Sequence, residues 1–124
     1  MEDLSSATLG RWFTTEYREH HPEEMKTIRQ MIASTNPSGY IGCCAVLRDT
    51  DLRSDLASID APCLVIAGTH DPATPPSGSQ ALCSGLRDSH YVELNAAHLS
   101  AWERPDEFAQ AVLDFLDTGA RSNG

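Results

Sequence analysis

The sequence has 124 residues and a mass of 13.5 kDa, a length that fits one small domain and disfavours a second. Hydrophobic residues make up 40% of the chain and charged residues 22%, a composition typical of globular proteins rather than disordered or membrane-spanning ones. Nine basic and eighteen acidic residues give a formal net charge of −9, which disfavours binding to nucleic acid or to an anionic membrane surface.

The cysteines and the N-terminal residues indicate in which cellular compartment the protein is expected. The chain has four cysteines that form no C-x-x-C pair and are too few for a disulfide scaffold: Cys43, Cys44, Cys63 and Cys83. We therefore expect buried, reduced thiols in a cytoplasmic protein. The first residues, MEDLSS, lack the basic and apolar regions of a signal peptide, and no apolar run reaches 18 residues. Neither secretion nor membrane insertion is expected.

Residues 1–60 are predicted to be helical. Pro22 suits the first position of a helix that runs to about Ser34, with an apolar residue recurring at Met25, Ile28 and Ile32. Asn36 and Pro37 end this helix and open another, because proline disfavours helical backbone in the residue before it. The apolar face of the second helix carries Tyr40, Cys44 and Leu47, and the same spacing recurs at Leu52, Leu56 and Ile59.

Residues 61–124 show a different pattern. The apolar run 63–67 predicts a strand buried on both faces, and residues 90–94 are a second candidate strand. The proline-rich segment THDPATPP after the first strand is a loop. Ser77 and Gln80 have the spacing of a capping box, which predicts a helix between the strands.

A last helix should begin at Pro105 and end before Gly119, leaving a polar tail, GARSNG. Its apolar stripe carries Phe108, Val112, Phe115 and Leu116. The order strand, helix, strand, helix predicts an α/β fold with two parallel strands.

Asp71 follows the first predicted strand and His98 follows the second. Parallel strands bring such loops together, and open α/β sheets place their catalytic groups there. A carboxylate that holds one imidazole nitrogen lets the other take a proton from a nucleophile. The alternative is purely structural: Asp71 caps a turn in the proline-rich loop and His98 caps the start of a helix.

Two segments carry a family resemblance: APCLVIAGTHDPATPP and LNAAHLSAWERPDEF resemble the last two strands of an α/β-hydrolase. The segments RWFT, GYIGCCAVLRDTDL and THDPATPP resemble, more narrowly, the 3-oxoadipate enol-lactone hydrolases of the β-ketoadipate pathway of aromatic catabolism. The resemblance implies that Asp71 is the acid and His98 the general base of a Ser-His-Asp triad. It also implies that residues 1–60 belong to a helical cap and residues 61–124 to the hydrolase core, with a lactone or ester as substrate and no cofactor.

The family nucleophile is a serine in a G-x-S-x-G motif, and no serine of this chain has glycines at both positions. We therefore expect the C-terminal part of a hydrolase, inactive unless an N-terminal half completes it. Cys44 is the nearest substitute for the missing serine, because some related hydrolases have a cysteine nucleophile in a G-x-C-x-G motif. Val46 stands where the second glycine of that motif would be, so we expect Cys44 to be a core cysteine on a helix instead.

Two further possibilities remain open from the sequence, and a third, a metal site, is disfavoured. Two strands leave unpaired edges, so the chain could be a small binding module without catalytic activity, for example a homo-oligomer. Haloperoxidase-like and epoxide-hydrolase relatives share the acid and histidine loops and differ in the nucleophile. His20 and His21 lie beside carboxylates but lack the i, i+4 spacing that would face one metal ion, so no metal site is expected.

Overall fold

The computed structural model of the chain describes residues 1–122. Four helices and a 3₁₀ helix come first, followed by two strands that alternate with three helices. The elements are α1 (Glu2–Trp12), α2 (Thr15–His20), α3 (Pro22–Ser34), α4 (Pro37–Asp49), the 3₁₀ helix Arg53–Ser58, β1 (Cys63–Gly68), α5 (Pro76–Gly85), β2 (Ser89–Leu94), α6 (Ser100–Glu103) and α7 (Pro105–Ser122). None of the described helices is long and apolar enough to cross a bilayer.

Helices α1 and α3 pack together and supply a small apolar core. Helix α3 has the predicted bounds, because Pro22 occupies its first turn and Thr35 leaves helical geometry before Asn36 and Pro37. The core contains one face of each helix together with Phe13: Leu9, Phe13, Met25, Ile28 and Ile32. These contacts fix the chain that leaves α1 at Phe13.

Helix α4 forms as predicted but its apolar face is not covered. The side chain of Asn36 caps it by accepting hydrogen bonds from the N–H groups of Ser38 and Gly39. No described element lies close enough to bury any residue of α4, and Leu47 is 80% exposed. The expected buried thiols are therefore wrong for this helix, since Cys43 and Cys44 are both exposed, while Cys63 and Cys83 are half-buried.

Strands β1 and β2 pair in parallel, with Cys63 opposite Ser89 and Gly68 opposite Leu94. Helix α5 crosses between them, as the alternation of elements predicts. Its start differs from the prediction: α5 begins at Pro76 and has no side-chain cap, so Ser77 lies inside the first turn and makes no capping box.

Helix α7 begins at Pro105 as predicted but does not stop at Gly119, and it runs on to Ser122. One glycine inside a helix costs only about 1 kcal/mol relative to alanine, so it does not by itself end the helix. Of the predicted stripe, Phe108, Val112 and Phe115 are half-buried and Leu116 is exposed. The last two residues of the predicted polar tail, 123–124, lie outside the described residues.

Candidate active site

The loops that follow β1 and β2 lie side by side and are joined by backbone hydrogen bonds. Thr69 N–H donates to the carbonyl oxygen of Leu94 at 2.9 Å, and His70 N–H donates to that of Ala96 at 3.0 Å. The Thr69 hydroxyl donates to the same Leu94 carbonyl at 3.0 Å. The two loops therefore form one unit at the carboxyl end of the sheet, as expected for parallel strands.

This unit brings Asp71 and His98 together. Oδ2 of Asp71 lies 2.8 Å from Nδ1 of His98, a hydrogen-bonding distance. The side chain of Asp71 is 5% exposed and that of His98 is 34% exposed. A buried carboxylate thus holds one nitrogen of an imidazole that remains partly accessible, the arrangement in which the other nitrogen can exchange a proton with a reacting group.

The carboxylate of Asp71 is surrounded by donors. Oδ1 accepts hydrogen bonds from the N–H groups of Ala73 at 2.8 Å and Thr74 at 2.9 Å, and Oδ2 accepts from the Thr74 hydroxyl at 2.7 Å. Burial opposes the charge of Asp71, but the hydrogen bonds from Thr74, His98 and Ala73 outweigh it and hold the pKa of the carboxyl below its usual value. Asp71 is therefore a charged hydrogen-bond acceptor at neutral pH.

The structural alternative holds for Asp71 and fails for His98. Asp71 does cap the turn of the proline-rich loop through Oδ1, but its second oxygen remains for the imidazole. His98 caps no helix, because α6 begins at Ser100 after Leu99 and has no side-chain cap. The Thr74 hydroxyl, 3.2 Å from Nδ1 of His98, is a further neighbour of the pair.

Glu103, at the end of α6, is a buried acidic residue that the sequence did not single out. Its side chain accepts a hydrogen bond from Thr14 N–H at 2.5 Å and another from Ala97 N–H at 3.2 Å. Leu99 N–H donates to the Trp12 carbonyl oxygen at 3.0 Å. The residues on both sides of His98 are thereby tied to the segment that joins α1 to α2. No local sequence pattern indicates these contacts, because the partners are backbone groups, and Thr14 and Trp12 are far away in the sequence.

A second contact fixes α6 against the helices. The indole N–H of Trp102 donates to Oε2 of Glu24 at 2.9 Å, and the Tyr17 hydroxyl donates to the same oxygen at 2.8 Å. The ring of Trp102 meets that of Phe13 edge to face. Burial, the hydrogen bond to Glu24 and the charges of Glu24 and Glu103 raise the pKa of Tyr17 to about 12.

The remaining candidate residues lie apart from this pair. Nδ1 of His20 and of His21 each bonds a backbone oxygen of α2, and among residues 1–122 no three metal-ligating side chains gather in one place. Cys44 lies within α4, in helical backbone. A cavity of about 360 Å³ opens beside the histidine loop, with Arg18, His70 and Ala97 in its wall, but neither Asp71 nor His98 lines it.

Comparisons with known proteins agree with the fold. The α/β-hydrolase family described as TAP-like protein matches residues 30–124. The 3-oxoadipate enol-lactonase 2 of Acinetobacter baylyi is 38% identical over 88% of this chain and 41% of its own length, and enol-lactonase 1 of that organism is 31% identical over 94% and 44%.

Solved structures give the same result. The enol-lactonase from Burkholderia xenovorans superimposes with a TM-score of 0.91 at 40% identity, covering 94% of this chain and 45% of that one. A hydrolase from Pseudomonas aeruginosa gives a TM-score of 0.87 at 39% identity, covering 94% and 44%. The chain spans less than half the length of these relatives. Its sequence, its parallel strand pair and its two loops place the chain in the α/β-hydrolase superfamily.

Proposed function

We propose that Asp71 and His98 are the acid and the general base of a Ser-His-Asp triad. The observation that carries this proposal is the 2.8 Å contact between Oδ2 of Asp71 and Nδ1 of His98. With Nδ1 held by the carboxylate, Nε2 of His98 accepts the proton of a serine hydroxyl as the serine attacks a substrate carbonyl. Asp71 stabilises the imidazolium that results. The protonated His98 then gives its proton to the leaving oxygen, and water releases the acyl group by the same route.

The nucleophile of this triad comes from residues outside the 124-residue sequence, which contains no serine in a G-x-S-x-G motif. In this proposal an N-terminal half supplies the serine, and the chain by itself has no hydrolase activity. Residues 1–60 are part of the cap over the site and residues 61–124 are part of the core. The contact between Trp12 and Leu99 supports this division, because it sets the helical part directly on the histidine loop.

The proposed substrate is a small lactone, and specifically 3-oxoadipate enol-lactone, opened to 3-oxoadipate in aromatic catabolism. Two relatives named as 3-oxoadipate enol-lactonases, at 38% and 31% identity, support this choice. The acyl-enzyme route requires no metal or organic cofactor. The exposed thiols of Cys43 and Cys44 suit a reducing compartment, which supports a cytoplasmic location.

Complementation tests the function. The chain is mixed with the N-terminal part, including G-x-S-x-G, of the Burkholderia xenovorans enol-lactonase, and loss of the enol-lactone is followed by ultraviolet absorbance. The mixture should be active and each part alone inactive. An N-terminal part whose serine is replaced by alanine should restore nothing. Activity of the 124-residue chain alone, at the rate of an intact relative, would contradict the proposal.

A second function is supported by the uncovered surface of α4. Tyr40 and Leu47 lie on one face of this helix and both are exposed, which is unusual for an apolar face of a monomer. We propose that the chain can self-associate through this face as a homo-oligomer. Sedimentation should then show a mass that rises with concentration, and the double variant Tyr40→Glu, Leu47→Glu should remain monomeric. A wild-type chain that sediments as a monomer at every concentration would rule this out.

A further inference from the structure

Glu103 joins two segments that are far apart in the sequence. One oxygen accepts from the N–H of Thr14, 89 positions away, and the other accepts from the N–H of Ala97, the residue before His98. Glu103 is 5% exposed. Each of these N–H donors bonds its own oxygen, and a carboxylate has two acceptor oxygens where an amide has one.

The segment around Thr14, which joins α1 to α2, is held by several contacts. Thr14 follows Phe13, which is buried in the core between α1 and α3, and its hydroxyl caps α2 by accepting from Tyr17 N–H. Trp12, two residues earlier, accepts the hydrogen bond of Leu99 N–H. The amides at positions 97 and 99 are thus both connected to the α1–α2 junction, and His98 lies between them.

The backbone of His98 is thus held on both sides, and the contact with Asp71 holds its ring. We propose that Glu103 is a positioning residue: by holding Ala97 against Thr14, it sets the backbone of His98 so that Nδ1 meets Asp71. Glu103 matters for catalysis only if His98 is the general base, so this part of the proposal rests on the proposed function. Its structural content, the dependence of the His98 ring on Glu103, can be tested without turnover.

The test is nitrogen NMR of the 124-residue chain, in which the ring nitrogens of His98 report which of them carries the proton. In the wild type, the contact with Asp71 favours the form protonated at Nδ1. Glu103→Gln replaces one acceptor oxygen by an NH₂ group, so either Thr14 or Ala97 loses its acceptor. We expect the ratio of the two neutral tautomers of His98 to shift towards that of an imidazole without a carboxylate partner. Hydrogen exchange of the Ala97 amide should become about tenfold faster or more.

The control is Glu24→Gln, which removes the carboxylate that holds Trp102 on the same short helix but leaves Thr14 and Ala97 untouched. This variant should keep the wild-type ring signals of His98. If Glu103→Gln lowers the unfolding temperature and leaves those ring signals unchanged, Glu103 is a structural tie only and the proposal is wrong.

A second pair of variants covers the case in which Glu103→Gln does not fold. Thr14 has φ −60°, an angle that proline adopts, so Thr14→Pro removes the N–H donor to Glu103 without changing the backbone angle. Both Thr14→Pro and Thr14→Ala remove the hydroxyl that caps α2, but Thr14→Ala keeps the N–H that donates to Glu103. Thr14→Pro should change the His98 ring signals and Thr14→Ala should not. Equal spectra for the two variants would overturn the proposal, whatever the outcome of complementation.

Discussion

Gly68, the last residue of β1, lies directly against the backbone of Ala97. A Cβ built on Gly68 would overlap the carbonyl oxygen of Ala97 and would lie 2.6 Å from that of Ala96. Since these are backbone atoms of the histidine loop, they cannot swing away as a side chain would. The absence of a side chain at position 68 is therefore a condition for the acid and histidine loops to meet.

Gly68→Ala should destabilise the chain by about 1–3 kcal/mol, the usual cost of forcing an extra methyl group into a packed site. Urea unfolding followed by circular dichroism measures this. The control is Gly42→Ala in α4, where a new Cβ meets nothing within 4 Å. That change should stabilise the chain by about 0.5–1 kcal/mol, since alanine is the better helix former. Equal effects at the two positions would show that the loops do not pack as described.

Asp71→Asn should lower the stability at neutral pH by about 1–3 kcal/mol, because a buried acceptor of four hydrogen bonds is disturbed. The folded-state pKa of Asp71 is depressed, so its charge stabilises the fold above about pH 4, the unfolded value, and this contribution is lost as the pH falls through the folded pKa. The stability gap between the wild type and the variant should therefore narrow below about pH 4.

Urea midpoints at pH 7 and pH 3 test this, with Asp49→Asn as the control. Asp49 pairs with Arg48 on the surface, where both side chains are mostly exposed, and its replacement should change little. A gap for Asp71→Asn that is the same at both pH values would show that its charge is not what stabilises the loop.

In the complemented enzyme, His98→Ala and Asp71→Asn should each lower kcat by roughly 10⁴, as for other triads, because the base or its orientation is lost. His20→Ala is the control, since His20 is exposed on α2 and its imidazole bonds the Glu16 carbonyl oxygen of the same helix. Steady-state kinetics on the enol-lactone give the values. A near-normal kcat in either loop variant would remove that residue from the proposed mechanism.

The raised pKa of Tyr17 implies that the chain loses stability in alkali. This pKa is about 12 in the folded chain, against about 10 when unfolded. The stabilisation that comes from the protonated Tyr17 hydroxyl is therefore fully present below pH 10 and is lost as the pH rises towards 12. Tyr17→Phe lacks this ionisation, so its stability should fall less between pH 9 and pH 11.5. Tyr40→Phe, at an exposed position on α4, should follow the wild type. Parallel curves for Tyr17→Phe and the wild type would contradict the raised pKa of Tyr17.

The elements that could be predicted are those whose signals lie in neighbouring residues. The bounds of α3 follow from Pro22 and from the Asn36–Pro37 pair, and both strands end within one residue of their predicted bounds. The pairing of Asp71 with His98 could be predicted for a related reason. Each residue follows a strand, and parallel strands bring their carboxyl ends together.

Most of the features that could not be predicted depend on distant parts of the chain. The start of α5 is an exception, because Ser77 and Gln80 have capping spacing but the neighbouring Pro75 and Pro76 start the helix two residues earlier. The apolar face of α4 predicts a partner that the described residues do not provide. Glu103 resembles any charged residue at the end of a helix until its two backbone partners, Thr14 and Ala97, are seen beside it.

Both strands, the crossover helix α5 and the proposed acid and base all lie between Cys63 and His98. Contacts so close in sequence close only a short loop, which costs little entropy and favours early formation during folding. The strand pairing that brings Asp71 and His98 into neighbouring loops is therefore encoded within one short stretch of the gene. Glu103 and Thr14, which we propose to set the backbone of His98, lie outside this stretch. The same stretch joined to a new partner would bring the two loops together but would still need an equivalent contact to orient the imidazole.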